Sequence, residues 1–139
     1  MADIRANLKT HLIADGTLTT LLSGKVFLGD APQGQSGDYL IFRMIKAEFG
    51  DSIGGDSGER QATFEIVAWA TSWERAILIK DRLQALYHTN DGRFQMGDIW
   101  VTYCAKVNEY DGDRVRDTYS DEGSCPITSV FEFVWDVTV

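Results

Sequence analysis

Residues 125–139 read Cys-Pro-Ile-Thr-Ser-Val-Phe-Glu-Phe-Val-Trp-Asp-Val-Thr-Val, and this stretch decides the fold. From residue 127 the even positions are mixed, whereas the odd positions are mostly large and apolar: Ile127, Ser129, Phe131, Phe133, Trp135, Val137 and Val139. Successive side chains of a β-strand point to opposite faces, so the pattern predicts a strand with one apolar and one wet face. Its length and its β-branched and aromatic residues are typical of a central or near-central strand of an antiparallel sheet. The apolar face then requires a second layer to cover it.

The size and composition of the chain predict one domain over residues 1–139. The chain is long enough to bury a core of its own, and 44% of its residues are hydrophobic and 24% charged, as in ordinary globular proteins. No apolar run approaches the ~20 residues that a membrane span requires. The N-terminus lacks the charged-then-apolar pattern of a signal peptide, which predicts a chain that stays in the cytoplasm where it is made.

The formal net charge of −8 argues against a broad nucleic-acid-binding face, because such faces carry clustered lysine and arginine. One interpretation of the acidity is solubility. The other is an acidic surface along which DNA moves without binding. Charge alone does not separate the two interpretations.

Two helical segments are predicted. The first covers residues 3–14, with Asp3 as N-cap and Asp15-Gly16 as its end, and Thr17 then caps a short second turn. The other begins at Thr71 in a capping box with Glu74 and ends near 88–92. Their apolar positions recur at helical spacing and predict buried stripes: Ile4, Leu8 and Leu12; Leu18, Leu21 and Leu22; Ala76, Ile79, Leu83 and Leu86.

Further strands are predicted at 25–29, 38–48, 59–70, 93–96 and 99–108. The strand at 38–48 is apolar on both faces, with Tyr39 and Ile41 on one and Leu40 and Phe42 on the other, so both faces should be covered, one of them by a neighbouring subunit. The segment 49–58 holds four glycines and is predicted to be a mobile loop. The acidic segment 109–123 is predicted to join the last two strands as an extended hairpin arm.

The order of these elements, α-β-β-β-α-β-β with a possible further strand, predicts an α+β fold. Its sheet should be mostly antiparallel, with two main helices packed on one face. The helical stripes would then cover Phe131, Phe133 and Trp135. Burial of each such side chain is worth ~1.5–3 kcal/mol.

The two cysteines, Cys104 and Cys125, fall on strands predicted to be neighbours. The apolar face of the earlier strand is formed by odd positions: Ile99, Val101, Tyr103, Ala105 and Val107. Because the apolar positions of the last strand are odd as well, the two thiols should point to opposite faces unless a bulge near Pro126 shifts the register. Free thiols in a reducing compartment are therefore predicted.

No motif for catalysis, a cofactor or a metal is complete in the sequence. The glycines at 50, 54, 55 and 58 match no phosphate-binding pattern, and His11 and His88 are interpreted as structural. Asp111, Asp113 and Glu122 have the spacing of positions one, three and twelve of a calcium loop. Arg116, however, stands where the turn of that loop needs glycine. A non-enzymatic chain without a cofactor or metal is predicted, and the acidic segment is interpreted as a solvated loop tip.

Several stretches of the chain form a recognisable series. An opening helix is followed by Asp15-Gly16-Thr17-Leu18 and Leu21-Leu22, then by Val26-Phe27 through Ala31-Pro32-Gln33, and then by Tyr39-Leu40-Ile41-Phe42. Further along the chain come Phe64-Glu65-Ile66-Val67-Ala68-Trp69-Ala70-Thr71-Ser72, then Ala76 and Leu83-Gln84-Ala85-Leu86, and finally Phe131-Glu132-Phe133-Val134-Trp135. Over nearly the whole chain, this series resembles the tail terminator, or tail completion, proteins of long-tailed bacteriophages and prophages. Asp38 departs from the pattern, since a proline is expected before the tyrosine.

The resemblance implies a structural virion protein at the tail-neck junction, present in the host cytoplasm during assembly. Such subunits form a ring, commonly a hexamer, that caps the tail tube, ends its polymerisation and meets the head-completion or neck protein. DNA would pass through the lumen without specific binding, and no membrane is involved. The family has no catalytic residues to transfer.

The subunit and tube interface is placed on the strand 39–45 and on the arms 50–58 and 109–123. The candidate residues are Tyr39, Phe42, Met44, Asp51, Ile53, Asp56, Asp111, Asp113, Arg114, Arg116, Asp117 and Tyr119. Two alternatives stay open. One is a head-tail connector, that is, a head-closure or neck protein of similar size, and the other is a calcium- or small-ligand-binding module that uses the acidic arm.

Overall fold

The computed structural model of the chain describes residues 3–30, 37–52, 55–88, 94–112, 115–116 and 123–136. Its last strand, β7 (Gly123–Asp136), lies between β3 (Gly55–Ala70) and β5 (Ile99–Asp111) and is antiparallel to both. The prediction of a central antiparallel strand is therefore confirmed.

The other elements complete a mostly antiparallel α+β fold. The helices are α1 (Ile4–Ala14), α2 (Gly16–Leu22) and α3 (Trp73–Tyr87), and the remaining strands are β1 (Val26–Leu28), β2 (Tyr39–Ser52), β4 (Phe94–Met96) and β6 (Val115–Arg116). The strands lie in the order β1-β2-β3-β7-β5-β4, with β6 paired to β7. β1 is parallel to β2, and the other pairs are antiparallel. None of the helices in the described part of the chain is long and apolar enough to cross a membrane.

The core lies between the helices and the odd-numbered face of β7. Phe131 and Phe133 are fully buried, and Phe133 contacts Phe64 of β3 edge to face with ring centroids 5.6 Å apart. Tyr87, at the end of α3, packs its ring on both Phe131 and Phe133. The predicted helical layer therefore covers the predicted face, and Tyr87 replaces half-buried Leu86 as the last fully buried position of the α3 stripe.

The sheet is curled so strongly that both of its edges approach α1. This helix contacts β1 at one edge and β4 at the other. At the second edge, Asn7 donates from Nδ2 to Asp98 Oδ1 at 2.9 Å, and His11 lies against Phe94 with ring centroids 5.4 Å apart. α1 thus closes the open side of the sheet.

Two helix caps differ from the sequence prediction by one or two positions. α2 is capped by Asp15, which accepts from Leu18 N at 3.0 Å, and the predicted cap Thr17 lies inside the helix. α3 is capped by Ser72, which accepts from Arg75 N at 3.3 Å, whereas Thr71 had been predicted. Each correction has the same physical reason, since several residues in a row can accept this bond and the path of the chain into the helix selects one.

The prediction of a mobile loop over 49–58 is wrong for its described residues. β2 continues to Ser52 and β3 begins at Gly55, and the two remain paired as far as Ser52 and Gly55. A hairpin needs little loop closure, so the two strands satisfy each other's backbone groups even through glycines. The 109–123 arm is likewise partly strand, because β5 extends to Asp111 and β6 pairs with the start of β7.

Two register shifts in β5 overturn the predicted alternation after Val101. They fall between Val101 and Tyr103 and between Lys106 and Asn108. Tyr103 and Val107, predicted on the apolar face, are exposed, and Cys104 is buried instead. A bulge inserts one unpaired residue and so moves every later side chain to the other face.

The same shifts change the reason why the two thiols remain apart. Cys104 pairs with Phe133 and therefore shares the face of Cys125, contrary to the parity prediction. It lies opposite a position eight residues along β7 from Cys125, which is roughly 26 Å at about 3.3 Å per residue. The prediction of free thiols is confirmed, and both are buried.

Candidate subunit interface

The sheet face turned away from the helices carries an aromatic row at its β1 end. Tyr39 lies between Phe27 and Trp69, with ring centroids 6.2 Å from each, edge-on to Phe27 and nearly parallel to Trp69. All three are half-buried, and burial raises the pKa of the Tyr39 hydroxyl. Rings that contact in a row over three strands form a stiff, partly apolar surface.

A polar strap crosses the middle of the same face. Arg43 of β2 donates to Glu65 Oε2 from Nε at 3.1 Å and from Nη2 at 2.9 Å, and Tyr110 of β5 donates to Glu65 Oε1 at 3.4 Å. Because β7 lies between β3 and β5, Tyr110 reaches across it and covers Thr128 and Val130, which are both buried. The even face of β7 had been predicted to be wet, and this cover by the neighbouring strands is the correction.

Four large apolar side chains of β5 remain exposed: Trp100, Tyr103, Val107 and Tyr110. Val107 is the residue left unpaired by the second register shift, and it is 53% exposed. Bulges are enriched where a strand has to re-aim a side chain. A row of this kind along one strand is typical of a contact surface rather than of scattered surface residues.

A second group of exposed apolar side chains lies near the other edge of the sheet, on β1 and β2. Leu28 and Ile45 are about half exposed, and Met44 is half-buried against the core. Ile45 is the residue left unpaired by the register shift between Met44 and Lys46, and it is 52% exposed. β1 pairs only with residues 40–42 of β2, so beyond Phe42 no strand of the described chain pairs with β2 on the side opposite β3.

The helical layer has its own exposed apolar side chains. Trp73, Ile77 and Leu78 of α3 are exposed and lie outside the buried stripe that the sequence predicts for this helix. Leu78 and Leu21 line an open groove of about 590 Å³ between α2 and α3. The signal that could have found this surface is the pair Ile77-Leu78, which lies outside the buried stripe at Ala76 and Ile79.

Asp38 fastens the start of β2 to the start of α3. Its buried carboxylate accepts from Thr71 N at 3.0 Å and forms an ion pair with Arg75 Nε. This is the position where the resemblance leads one to expect proline. Proline would fix the backbone before Tyr39, and the carboxylate fixes it through hydrogen bonds to the next helix instead.

A second ion pair joins α2 to α3. Arg82 donates to Asp15 from Nε at 3.0 Å and from Nη2 at 2.6 Å, and this hydrogen bonding holds the pKa of the Asp15 carboxyl below its usual value. On the other flank of α3, Lys80 and Lys106 both pair with Glu109, and the hydrogen bond from Lys106 lowers the pKa of that carboxyl. Polar contacts therefore join α3 to α2 on one side and to β5 on the other.

Both histidines take part in structural hydrogen bonds, in line with their interpretation from the sequence. His11 Nδ1 lies 2.7 Å from the Tyr87 hydroxyl, and His88 Nδ1 accepts from Lys106 N at 3.0 Å. In the described part of the chain, no three His, Cys, Asp or Glu side chains gather as metal ligands would. Of the calcium-loop positions, Asp111 is exposed at the end of β5, and Asp113 and Glu122 lie outside the described residues.

The predicted interface residues are placed unequally. Tyr39 lies in the aromatic row, Met44 is half-buried against the core, and Asp111 is exposed. Phe42 is fully buried in the core of its own subunit, where it packs near Phe64 with ring centroids 6.3 Å apart, so its side chain has no surface to offer to a partner. For three of the predicted residues the structure describes only the backbone. Asp51 and Asp56 pair across the hairpin, and Arg116 lies in β6. The residues outside the described ranges are Ile53, Asp113, Arg114, Asp117 and Tyr119.

Comparison with known proteins relates the chain to others through its fold. No protein-family model and no curated protein matches the sequence. Among solved structures, a chain from the virion of a native gene transfer agent particle matches with a TM-score of 0.65 and 15% identity, over 96% of this chain and 95% of that one. The two chains share one fold. A second solved structure, whose name states no function, matches with a TM-score of 0.58 and 18% identity, over 98% of this chain and 96% of that one.

Proposed function

We propose that this chain is a structural virion protein that assembles into a ring, caps a phage tail tube and offers the attachment surface for the head or neck. The observation that carries the proposal is the end-to-end fold similarity to a chain of a gene transfer agent virion. An isolated shared motif would be weak support, whereas here the similarity covers 96% of this chain and 95% of that one. The sequence resemblance to tail terminators supports the more specific role.

The exposed side chains support an assembling protein. Ten large hydrophobic residues among those described are exposed. Nine of them fall on three surfaces, namely β5, the β1–β2 side and the outer side of α3, and the tenth, Ile13, lies on α1. A ring subunit needs two different surfaces for its neighbours and at least one more for what lies above or below it. Such a subunit accounts for three separate apolar surfaces, while a monomer leaves them all in water.

The acidity of the chain fits a ring around DNA. A net charge of −8 on one subunit is multiplied by the number of copies, and a negatively charged lumen repels phosphate groups. DNA would then pass without being held. The purified ring should therefore show no binding to duplex DNA at ~50 mM salt, where electrostatic binding is strong. Binding that disappears on raising the salt would show a basic lumen and contradict this part of the proposal.

Deletion of the gene from the phage or prophage that carries it tests the function directly. Electron microscopy of the lysate should show overlong or unattached tails, and expression of the intact chain in trans should restore normal particles. Heads that leak DNA beside tails of normal length would indicate a head-closure or connector protein instead. Unchanged, fully assembled particles would contradict a virion role.

A further inference from the structure

The outer edge of β2 has a neighbouring strand along only part of its length. β1 pairs with residues 40–42 of β2, and the last hydrogen bond of this contact runs from Gly29 N to Phe42 O at 2.9 Å. Gly29 has a φ of 84°, which glycine adopts without strain, and the chain turns out of the sheet there. β2 itself continues to Ser52. Beyond Phe42, no described strand lies beside β2 on this side.

The backbone groups of β2 that face this edge follow from its pairing. Phe42 O accepts from Gly29 N, so Phe42 directs its backbone groups away from β3. Alternate residues of an antiparallel strand do the same, which adds Met44. The register shift leaves Ile45 unpaired and moves the alternation by one position, so Ala47 is the next residue of this set. Met44 and Ala47 therefore present N–H and C=O groups with which no described strand pairs.

The corresponding edge of β5 is covered by the end of α3. β4 pairs with residues 99–101 of β5, and farther along the strand Lys106 N donates to His88 Nδ1 at 3.0 Å. The Lys106 ammonium also donates to Gln84 Oε1 at 3.2 Å. A backbone donor that is bound to a side chain in this way is not available to an added strand. Among the described strands, β2 therefore keeps the long edge with unpaired backbone groups.

The side chains at this edge suit an extended segment with apolar residues at alternate positions. Leu28, the last residue of β1, pairs with buried Phe42 and is 47% exposed, and Met44 pairs with buried Phe64 and is half-buried. Because paired residues share a face, Leu28 and Met44 lie on the face that carries the helices, where the core ends. An added strand would place every second side chain on the same face and extend the core over both residues.

The shape of the edge argues against another copy of this chain as the added strand. β2 has register shifts between Met44 and Lys46 and between Phe49 and Asp51. Such bulges bend a strand and hinder the pairing of two long sheet edges. The described part of a second copy offers the same bent edge and no other long one. A separate extended segment can follow the bend, because only its own backbone has to adapt.

We propose that an extended segment of a different virion protein adds to β2 as a strand beyond Phe42, in line with β1. Hydrogen bonds to the backbone of Met44 and Ala47 hold this segment, and its apolar side chains contact Leu28 and Met44. The inference rests on the proposed virion role and names one contact through which the chain binds another virion protein.

Amide hydrogen exchange tests the added strand in the wild-type protein. Mass spectrometry at single-residue resolution compares the purified chain with complete particles that contain it. In the purified chain the amides of Met44 and Ala47 should exchange rapidly at every protein concentration, and in particles they should exchange roughly tenfold or more slowly. Equal exchange in the two samples would contradict the proposal. Protection that appears in concentrated purified protein would contradict it as well, since the occupant would then be another copy.

Two substitutions at Ala47 separate backbone pairing from side-chain contact. Ala47→Pro removes the N–H that faces the added strand and leaves the pairing with β3 in place, as proline does on an edge strand. Ala47→Val is the matched control, because it keeps the N–H and suits a strand. In the gene deletion, Ala47→Val expressed in trans should restore as many particles as wild type. Ala47→Pro should restore roughly tenfold fewer, as expected when one buried backbone hydrogen bond is lost.

Circular dichroism checks the fold of both variants, and the exchange measurement on wild type decides the question if Ala47→Pro does not fold. The proposal is wrong if folded Ala47→Pro restores particles fully or if both folded variants fail alike.

The added strand and the tail-capping role can fail separately. If Met44 and Ala47 are protected in particles but loss of the gene leaves tails of normal length, the strand stands and the tail-capping role is wrong. If loss of the gene gives overlong or unattached tails but the two amides exchange equally in both samples, the role stands and the strand is wrong. Particles that lack the chain would contradict both.

Discussion

At the scale of single residues, polar side chains of this subunit join its helices and strands through hydrogen bonds and ion pairs. Asp38 ties β2 to α3, and Asp15 ties α2 to α3 through Arg82. Each of these two carboxylates also accepts a hydrogen bond from a backbone N–H at the start of a helix, where a negative charge is favoured. His11 joins α1 to α3 through the Tyr87 hydroxyl, and imidazole is the side chain whose ordinary pKa lies nearest physiological pH.

His11 should make the subunit less stable in mild acid. Burial lowers the pKa of its imidazole, against a smaller opposing effect of Asp15, and Tyr87 stays protonated because burial raises its own pKa, so its hydroxyl donates to neutral Nδ1. The folded state then binds fewer protons than the unfolded state, so this stability is complete above a pH of about 6.5 and is lost as the pH falls below it. Urea unfolding at pH 7.5 and 5.0 measures the loss.

His11→Gln removes this titration. The variant should lose less free energy of unfolding than wild type between pH 7.5 and 5.0, and the two proteins should change in parallel between pH 7.5 and 9.0. Equal losses in acid would mean that His11 has the same pKa in the folded and unfolded states.

At the scale of elements, the start of α3 gives a direct comparison between what the sequence predicts and what the structure has. Ser72→Ala should destabilise the subunit by about 0.5–2 kcal/mol, because the N–H of Arg75 loses its acceptor. Thr71→Ala should cost less, since Thr71 enters this helix start through its backbone N–H, which still donates to Asp38. Midpoints of urea unfolding decide between them, and a larger effect at Thr71 would restore the capping box predicted from the sequence.

The elements themselves were largely readable from the residues. The alternation in β7 and the helical spacing of Leu8, Leu12, Ile79 and Leu83 show which face of its own strand or helix each side chain lies on. The apolar positions of both patterns are buried as predicted. The bulges could not be predicted from the sequence, because a register shift depends on which residue of the neighbouring strand lies opposite each position. This is why the faces of β5 were wrong beyond Val101 and right before it.

The candidate interface was predictable only in part for the same reason. Tyr39 was proposed from a strand that is apolar on both faces, and its half-buried ring lies on the face turned away from the helices. Phe42 belongs to the covered face, and a count of apolar residues does not say which face the helices choose. Trp100, Val107 and Leu78 were missed because exposure follows from packing, and their residue types are those of a core.

At the scale of the whole molecule, the two thiols should report on global unfolding. Cys104 and Cys125 are each only 1% exposed, and burial raises the pKa of the Cys104 thiol, so the reactive thiolate is scarce. Ellman's reagent should label neither residue in the native protein and both in denaturant, and non-reducing gels should show no internal disulfide. Rapid labelling of the native protein would mean that the sheet opens locally without unfolding.

The curled sheet has a consequence for how the subunit is made. The hydrogen bond that joins α1 to the turn before β5 links Asn7 to Asp98, which are 91 positions apart. Contacts between such distant positions form late in folding, because the entropy of the intervening chain must be lost first. On the ribosome, the first helix has no partner at the far edge until residue 98 has left the exit tunnel. The apolar core of a nascent subunit therefore stays accessible to chaperones and proteases until most of the chain has been synthesised.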